Sequence, residues 1–247
     1  MQFSLSLSQW KAASFSLTQQ EDWLDWAKGK PLSFFDEKTL DLSFLAPMQR
    51  RRLSDLPRLV FMAAWEIMQD KQCPVVYVSR DGEFSRSFAL LKELGGGEQL
   101  SPTSFGLSVH NSIVGQWSMI RKDTSEMTAL SAREDGLETA LLEAYLLLQS
   151  GHREVLIIIA DEPLKEENPI NDGYLEKFAY AAAFLVTTGN EICLSLTRKN
   201  KNQTAHNIEY STNLENLKNI ILANANWQHN LKYQDRCWSW HAKYNKK

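Results

Sequence analysis

Thr128-Ala129-Leu130-Ser131-Ala132-Arg133-Glu134-Asp135-Gly136 is the stretch whose reading decides the fold. It sits inside a longer run. Upstream lie Ser101-Pro102-Thr103-Ser104-Phe105 and Ser108-Val109-His110-Asn111-Ser112, and downstream Gly151-His152-Arg153-Glu154-Val155-Leu156-Ile157-Ile158-Ile159-Ala160. The pattern predicts a helix over 105–119, a short strand over 126–131, a tight turn between Ala129 and Gly136, an apolar helix over 136–150 and a buried strand over 154–160. A strand-to-helix turn of this kind is where an α/β enzyme keeps its nucleophile. This one offers no thiol.

Working outward, Pro74-Val75-Val76-Tyr77-Val78-Ser79 is short, β-rich and apolar on both faces, as a central parallel strand should be. Leu56, Leu59, Val60, Ala63, Ala64, Ile67 and Met68 recur at helical spacing over 54–68 and form one apolar stripe, which predicts a helix lying on the sheet. A helix over 84–94 is ended by Gly95-Gly96-Gly97. At the N-terminus Phe3, Leu5 and Leu7 alternate with Ser4, Ser6 and Ser8, a half-buried strand continuing into Trp10. Thr18-Gln19-Gln20-Glu21 has the form of a capping box for a short helix carrying Trp23, Leu24 and Trp26. Segments 178–187 and 191–198 are expected to form a hairpin about Thr188-Gly189-Asn190. A helix near 214–223 and an aromatic tail through Trp227, Trp238, Trp240 and His241 close the chain. Strands separated by helices give an α/β layered fold, expected to be a single domain over 1–247.

Composition limits the function classes. A net charge of −3 and a pI near 6.0 give no general reason to expect nucleic acid, although Arg50-Arg51-Arg52 is a local basic cluster. No apolar run approaches the roughly 18 residues of a membrane span, and no leader pattern opens the chain, so a cytoplasmic protein is expected. Cys73, Cys193 and Cys237 lack a CxxC spacing, so neither a disulfide framework nor a metal site is expected. Neither GxGxxG nor GxxxxGK[ST] occurs, and no cofactor is expected.

Val76-Tyr77-Val78-Ser79-Arg80-Asp81-Gly82-Glu83, the 101–112 segment and the helix that ends at Gly151 before an Ile-rich strand together resemble the N-terminal half of a β-ketoacyl-acyl carrier protein synthase. The similarity is closest to the short ketosynthase-like chain length factors of bacterial aryl polyene gene clusters, and it covers about residues 1–200. It implies a thiolase-like fold, of which this chain is long enough for a single half of the α, β, α, β, α layers. In condensing members a cysteine at the strand-to-helix turn attacks the acyl thioester. In the family that cysteine lies seventeen residues before the glycine that ends the helix, and the resemblance therefore puts Glu134 at its position, counted back from Gly151, with Arg133 and Asp135 on either side. None is a nucleophile for this chemistry. His206, His229 and His241, the histidines beyond the central stretch, do not sit in settings like the family's decarboxylating histidines.

The resemblance therefore implies a non-catalytic subunit that pairs with a catalytic ketosynthase as a heterodimer or heterotetramer, meets the acyl carrier protein through that complex, and shapes the acyl tunnel. Glu126, Met127, Thr128, Ala129, Leu130 and Ser131 would form the interface strand. Phe105, His110, Asn111, Ile113, Val114 and Trp117 are the tunnel and gating candidates, with plain core packing the competing reading of the last three. Glu134 and Asp135 are expected at the first turn of the following helix as ordinary caps, or, in the competing reading, Glu134 plugs a vestigial site. Arg50-Arg51-Arg52 could steer an acidic carrier protein or be a solvated helix face. A free-standing acyltransferase or hydrolase is the alternative. It would need Ser79, Ser108, Ser112 or Ser131 as nucleophile, yet no GxSxG elbow is present.

Overall fold

Alternate residues of the central strands belong to opposite faces of one sheet. In a computed structural model describing residues 1–163, 177–198, 212–231 and 234–243, the elements run β1 (Gln2–Ser14), α1 (Gln20–Ala27), α2 (Pro47–Arg52), α3 (Asp55–Met68), β2 (Val75–Ser79), α4 (Phe84–Gly95), α5 (Pro102–Gly106), α6 (Ser112–Arg121), β3 (Met127–Ser131), α7 (Gly136–Gln149), β4 (Glu154–Asp161), β5 (Tyr180–Arg198), α8 (Thr212–Ile221), β6 (Asn226–Asn230) and β7 (Arg236–Ala242). Val76, Val78, Val155, Ile157, Ile159, Ala182, Phe184 and Val186 pack with Trp23, Leu137, Leu141, Ala144 and Leu217 from α1, α7 and α8. Val75, Tyr77, Leu156, Ile158, Ala160, Ala181, Ala183 and Leu185 face the other way, toward α3 and α6. Because both faces are covered, the strands read as unbroken apolar runs. The result is three layers, helices on either side of a mixed sheet.

The sheet order is β3-β2-β4-β5-β7-β6, with β1 also paired to β5. β2 runs parallel to both β3 and β4, and the remaining pairings are antiparallel. The expected hairpin over 178–198 is overturned. Its two arms are one nineteen-residue strand, β5, flanked by β4 over its first part, by β7 over its last, and by β1 along the other edge. Gly189 does not turn the chain. It sits where the register against β1 jumps from Leu5↔Ile192 to Ser6↔Thr187, and a Cβ there would collide with the Ser6 side chain. Pairing on both edges has overridden local turn propensity.

Smaller differences have local causes. The expected 105–119 helix is two helices, α5 and α6, separated around Ser108, whose hydroxyl competes with helical bonding by donating to the Phe105 carbonyl. In the capping box, Asp22 and not Glu21 reaches back, accepting the Thr18 and Gln19 amides at 3.1 Å each. The aromatic tail is the β6 and β7 pair, with Trp238, Trp240 and Ala242 turned into the core. No helix among the described residues is long and apolar enough to cross a membrane.

Candidate functional site

The N-terminus of α7 lies at the carboxyl ends of the parallel strands, where α/β folds gather their functional groups. Its first turn leaves backbone amides without helical partners. The Leu137 amide is taken at 3.0 Å by Oδ1 of Asn213 from α8, and the Asn213 Nδ2 lies 3.4 Å from Asp161 Oδ2. Gly136 permits this approach, since a Cβ there would stand 2.9 Å from the Asn213 side chain. Asp161, at the end of β4, accepts from the Ser79 hydroxyl at 2.9 Å and from the Arg80 amide at 2.8 Å. Burial pushes the Asp161 carboxyl up to about 6, against the lowering by these donors. The Gly82 amide donates to Ser79 Oγ at 2.9 Å, completing a closed polar knot.

The expected caps are therefore differently employed. Asp135 stands at the N-cap position, but its side chain does not cap; its Oδ2 accepts from the Trp238 indole at 3.3 Å. Glu134 is half-buried in the turn and Arg133 is exposed. What fills the start of α7 is Asn213, a residue that sequence spacing gave no reason to place there. None of the three cysteines is at this turn, and burial pushes the Cys73 thiol up to about 12.

The four serines do not assemble a nucleophile. Ser79 donates directly to Asp161 with no imidazole between. His110 Nε2 lies 3.1 Å from the Ser79 carbonyl, and because a carbonyl only accepts, that nitrogen carries the proton. Ser108 donates to the Phe105 carbonyl, Ser131 to the Arg80 carbonyl, and the buried Ser112 hydroxyl has no partner.

β3 forms one end of the sheet and pairs, among the described residues, with β2 alone. Val75 donates to the Glu126 carbonyl and Ala132 to the Ser79 carbonyl. The alternation of a parallel ladder then turns the N–H and C=O groups of Met127, Ala129 and Ser131 to the open edge, and those of Thr128 and Leu130 to β2. Glu126 precedes the strand and lends it only that carbonyl. Ala129 and Leu130 lean on opposite cores.

The gating candidates do not come together. Ile113, Val114 and Trp117 are buried in this chain's own core, with the Trp117 ring 5.3 Å from Phe61 and the Arg121 guanidinium 4.8 Å above it. Phe105, 59% exposed, and Asn111 are at the surface. His110 is half-buried against Tyr77.

A second buried cluster was not visible in the sequence. Glu138, fully buried in the first turn of α7, accepts at Oε1 from Asn216 Nδ2 (2.8 Å), His229 Nδ1 (2.8 Å) and Trp240 Nε1 (3.1 Å), while Oε2 has no partner. Asn216 in turn accepts from the Trp227 indole. An acid set between Leu137 and Leu141 on a strongly apolar helix was the available signal. Its partners, at least 78 residues away, carried none. His241 pairs with Asn226 at the surface, and His206 lies outside the described residues.

The β-ketoacyl synthase N-terminal domain model matches residues 23–241. No curated protein sequence matches the chain. Among solved structures, a chain of the complex of a ketosynthase (ApeO) with its chain length factor (ApeC), from Xenorhabdus doucetiae, superposes with TM-score 0.81 at 25% identity, covering 97% of this chain and 99% of that one. A β-ketoacyl synthase from Burkholderia phymatum STM815 gives 0.53 at 12% identity, covering 81% and 66%. The AntDE:AntF complex, a type II PKS acyl-carrier protein with its ketosynthase bound to the hexaketide, gives 0.57 at 12%, covering 87% and 71%. The last two likenesses carry the fold alone. With its three-layer half fold and a family match over most of its length, the chain belongs to the β-ketoacyl synthase N-terminal domain family.

Proposed function

We propose that this chain acts, as a single domain in the cytoplasm, as a non-catalytic chain length factor: it pairs with a catalytic β-ketoacyl-acyl carrier protein synthase and bounds the acyl tunnel during polyene or fatty-acid-like elongation. The observation that carries the reading is the open β3 edge, whose outward amides at Met127, Ala129 and Ser131 adjoin a nucleophile position sealed from within by Asn213. An exposed edge strand is a template for another chain, and an antiparallel strand of the ketosynthase is the partner this family likeness supports. Complexes of obligate character commonly bury roughly 2,000 Å² or more. Reaction would then proceed on the partner, with the acyl carrier protein delivering to the complex and Arg51 and Arg52, exposed on α2, available to steer it. Product length would be set by exposed residues near α6, Phe105 and Asn111 above all, with His110 behind them.

The test is Ala129→Pro. Proline at an outward-facing position of an edge strand removes no bond to β2, so the isolated chain keeps its fold and melting temperature within about 2 °C, but the substitution deletes the central outward donor. Co-expressed with its ketosynthase, the wild-type chain co-elutes in size-exclusion chromatography and the variant elutes alone. Co-elution of the variant, or a wild-type chain that ignores the ketosynthase, overturns the reading. A serine-directed fluorophosphonate should leave the chain unlabelled, since among the described residues no serine hydroxyl is hydrogen-bonded to a histidine.

A further inference from the structure

Beyond the carboxyl ends of β2 and β4, a cleft of about 310 Å³ opens between the starts of α3 and α4 and the side of α5. Its lining carries three carboxylates, Asp55, Glu83 and Glu162, against one cation, Arg86, with the Ser54, Ser85 and Ser104 side chains beside them. Glu83 follows β2 and Glu162 follows β4, so two adjacent strands deliver the acids to one place.

The acids are unequally satisfied. Every partner of Glu83 falls on one oxygen: the Ser54 hydroxyl donates to Oε1, and Arg86 Nε and Nη2 reach the same atom at 3.3 Å. Arg86 Nη2 also donates to Ser54 Oγ at 2.8 Å, which fixes the guanidinium on that side. Glu83 is 3% exposed, and its Oε2 has no partner. Glu162, 8% exposed, accepts the Ser85 amide at 2.8 Å. Burial first, and then the neighbouring Glu83 and Asp55 carboxylates, hold Glu162 above its ordinary value despite that bond. A buried carboxylate oxygen with no donor is costly unless something supplies one. Counted formally, the lining keeps an excess of two negative charges.

We infer that this cleft is a binding site for a cationic group with N–H donors, a guanidinium or an alkylammonium, whose hydrogens meet Glu83 Oε2 and the Glu162 carboxylate. The chemistry of the lining selects that class. The described residues contain no cluster of three or more His, Cys, Asp or Glu side chains placed to hold a metal, whereas one unsatisfied oxygen beside a second carboxylate suits a directional donor. The cation can come from a small amine in solution or from a lysine or arginine of a bound protein.

Two arms separate these sources. In the first, the purified full chain is titrated with agmatine, with tetramethylammonium at equal ionic strength as the cation lacking N–H donors. Agmatine should raise the melting temperature saturably, by about 5–10 °C at a hundredfold excess over its Kd, and tetramethylammonium should not. Glu83→Gln should abolish the saturable rise and Glu162→Gln should weaken binding about tenfold; the second variant and the wild-type titration decide the matter if the first fails to fold. In the second arm the chain is co-expressed with its ketosynthase. Loss of co-elution in Glu83→Gln while Ala129 is intact assigns the cation to the partner, and retained co-elution with an agmatine response assigns it to a small molecule. No saturation by agmatine together with unchanged co-elution of Glu83→Gln overturns the inference, and the first arm gives its answer whether or not a ketosynthase complex forms.

Discussion

Removing the Glu138 carboxylate is expected to destabilise the chain severely, because the group is fully buried and shared by three donors. Three donors converge on Oε1, and each belongs to a different element: Asn216 to α8, His229 to β6 and Trp240 to β7. Breaking a buried pair by deleting one member typically costs 3–5 kcal/mol, because the survivors are left desolvated and unpaired. Glu138→Ala orphans all three donors, so a loss of about 3–5 kcal/mol is expected, which in a chain of this size lowers Tm by about 6–20 °C. Glu138→Gln keeps an acceptor but loses the charge assistance, and should cost about half as much. Acidity supplies an independent readout. Burial pulls His229 down, but Glu138, helped by Asp135 and Glu134, more than offsets it, so the folded value is raised above 6.5. A raised histidine contributes stability that is fully present below the unfolded value and lost as pH rises through the folded one. Urea denaturation of wild type and His229→Ala at pH 6 and pH 9 should therefore show the gap between them shrinking at pH 9. A Tm change under 2 °C in Glu138→Ala, or a gap that is constant with pH, refutes the ion-pair account.

Other outcomes follow from the same geometry. Trp117→Ala should destabilise the chain by about 3–5 kcal/mol in chemical denaturation, because the ring is fully buried against Phe61. A product-length change in an assayed complex without that loss would assign Trp117 to gating instead of to core packing. Asp161→Asn should flatten the stability profile between about pH 4 and pH 6: the folded carboxyl titrates near 6, so in wild type stability falls as pH rises across that window, and pH-dependent melting checks it. Gly189→Ala should cost about 1–3 kcal/mol by forcing its new methyl into Ser6, which thermal melting reads directly.

The central elements were legible because burial writes itself into composition. α3 and α7 follow from apolar stripes, and β2 and β4 from short β-branched runs between polar turns. Which face each residue takes was not legible, since Val76 and Tyr77 are both fully buried yet point into different layers. β5 was misread because Thr188-Gly189-Asn190 has every local mark of a turn, while the bonds that straighten it come from β1 and β7, far away in sequence. β7 left a trace in the alternation of Trp238, Trp240 and Ala242 with Ser239 and His241. At the candidate site the absence of a thiol was plain from the sequence. Asn213 was not, because an asparagine near a helix start reads as its own helix's cap and not as the cap of another helix 76 residues earlier.

The pairing of β1 with β5 also governs how the protein is made. Among the described residues the first strand finds its ladder only on the fifth, with Gln2 opposite Ser195. A ribosome adding about 5–20 residues per second leaves the newborn N-terminus waiting roughly 10–40 s for its mate to emerge. Through that interval Phe3, Leu5 and Leu7 belong to a sticky, half-apolar segment whose amides have no partner strand. Slower translation or a warmer culture lengthens or sharpens that exposure, so soluble yield should respond to growth temperature and to chaperones that hold nascent chains more strongly than the finished fold's stability would suggest.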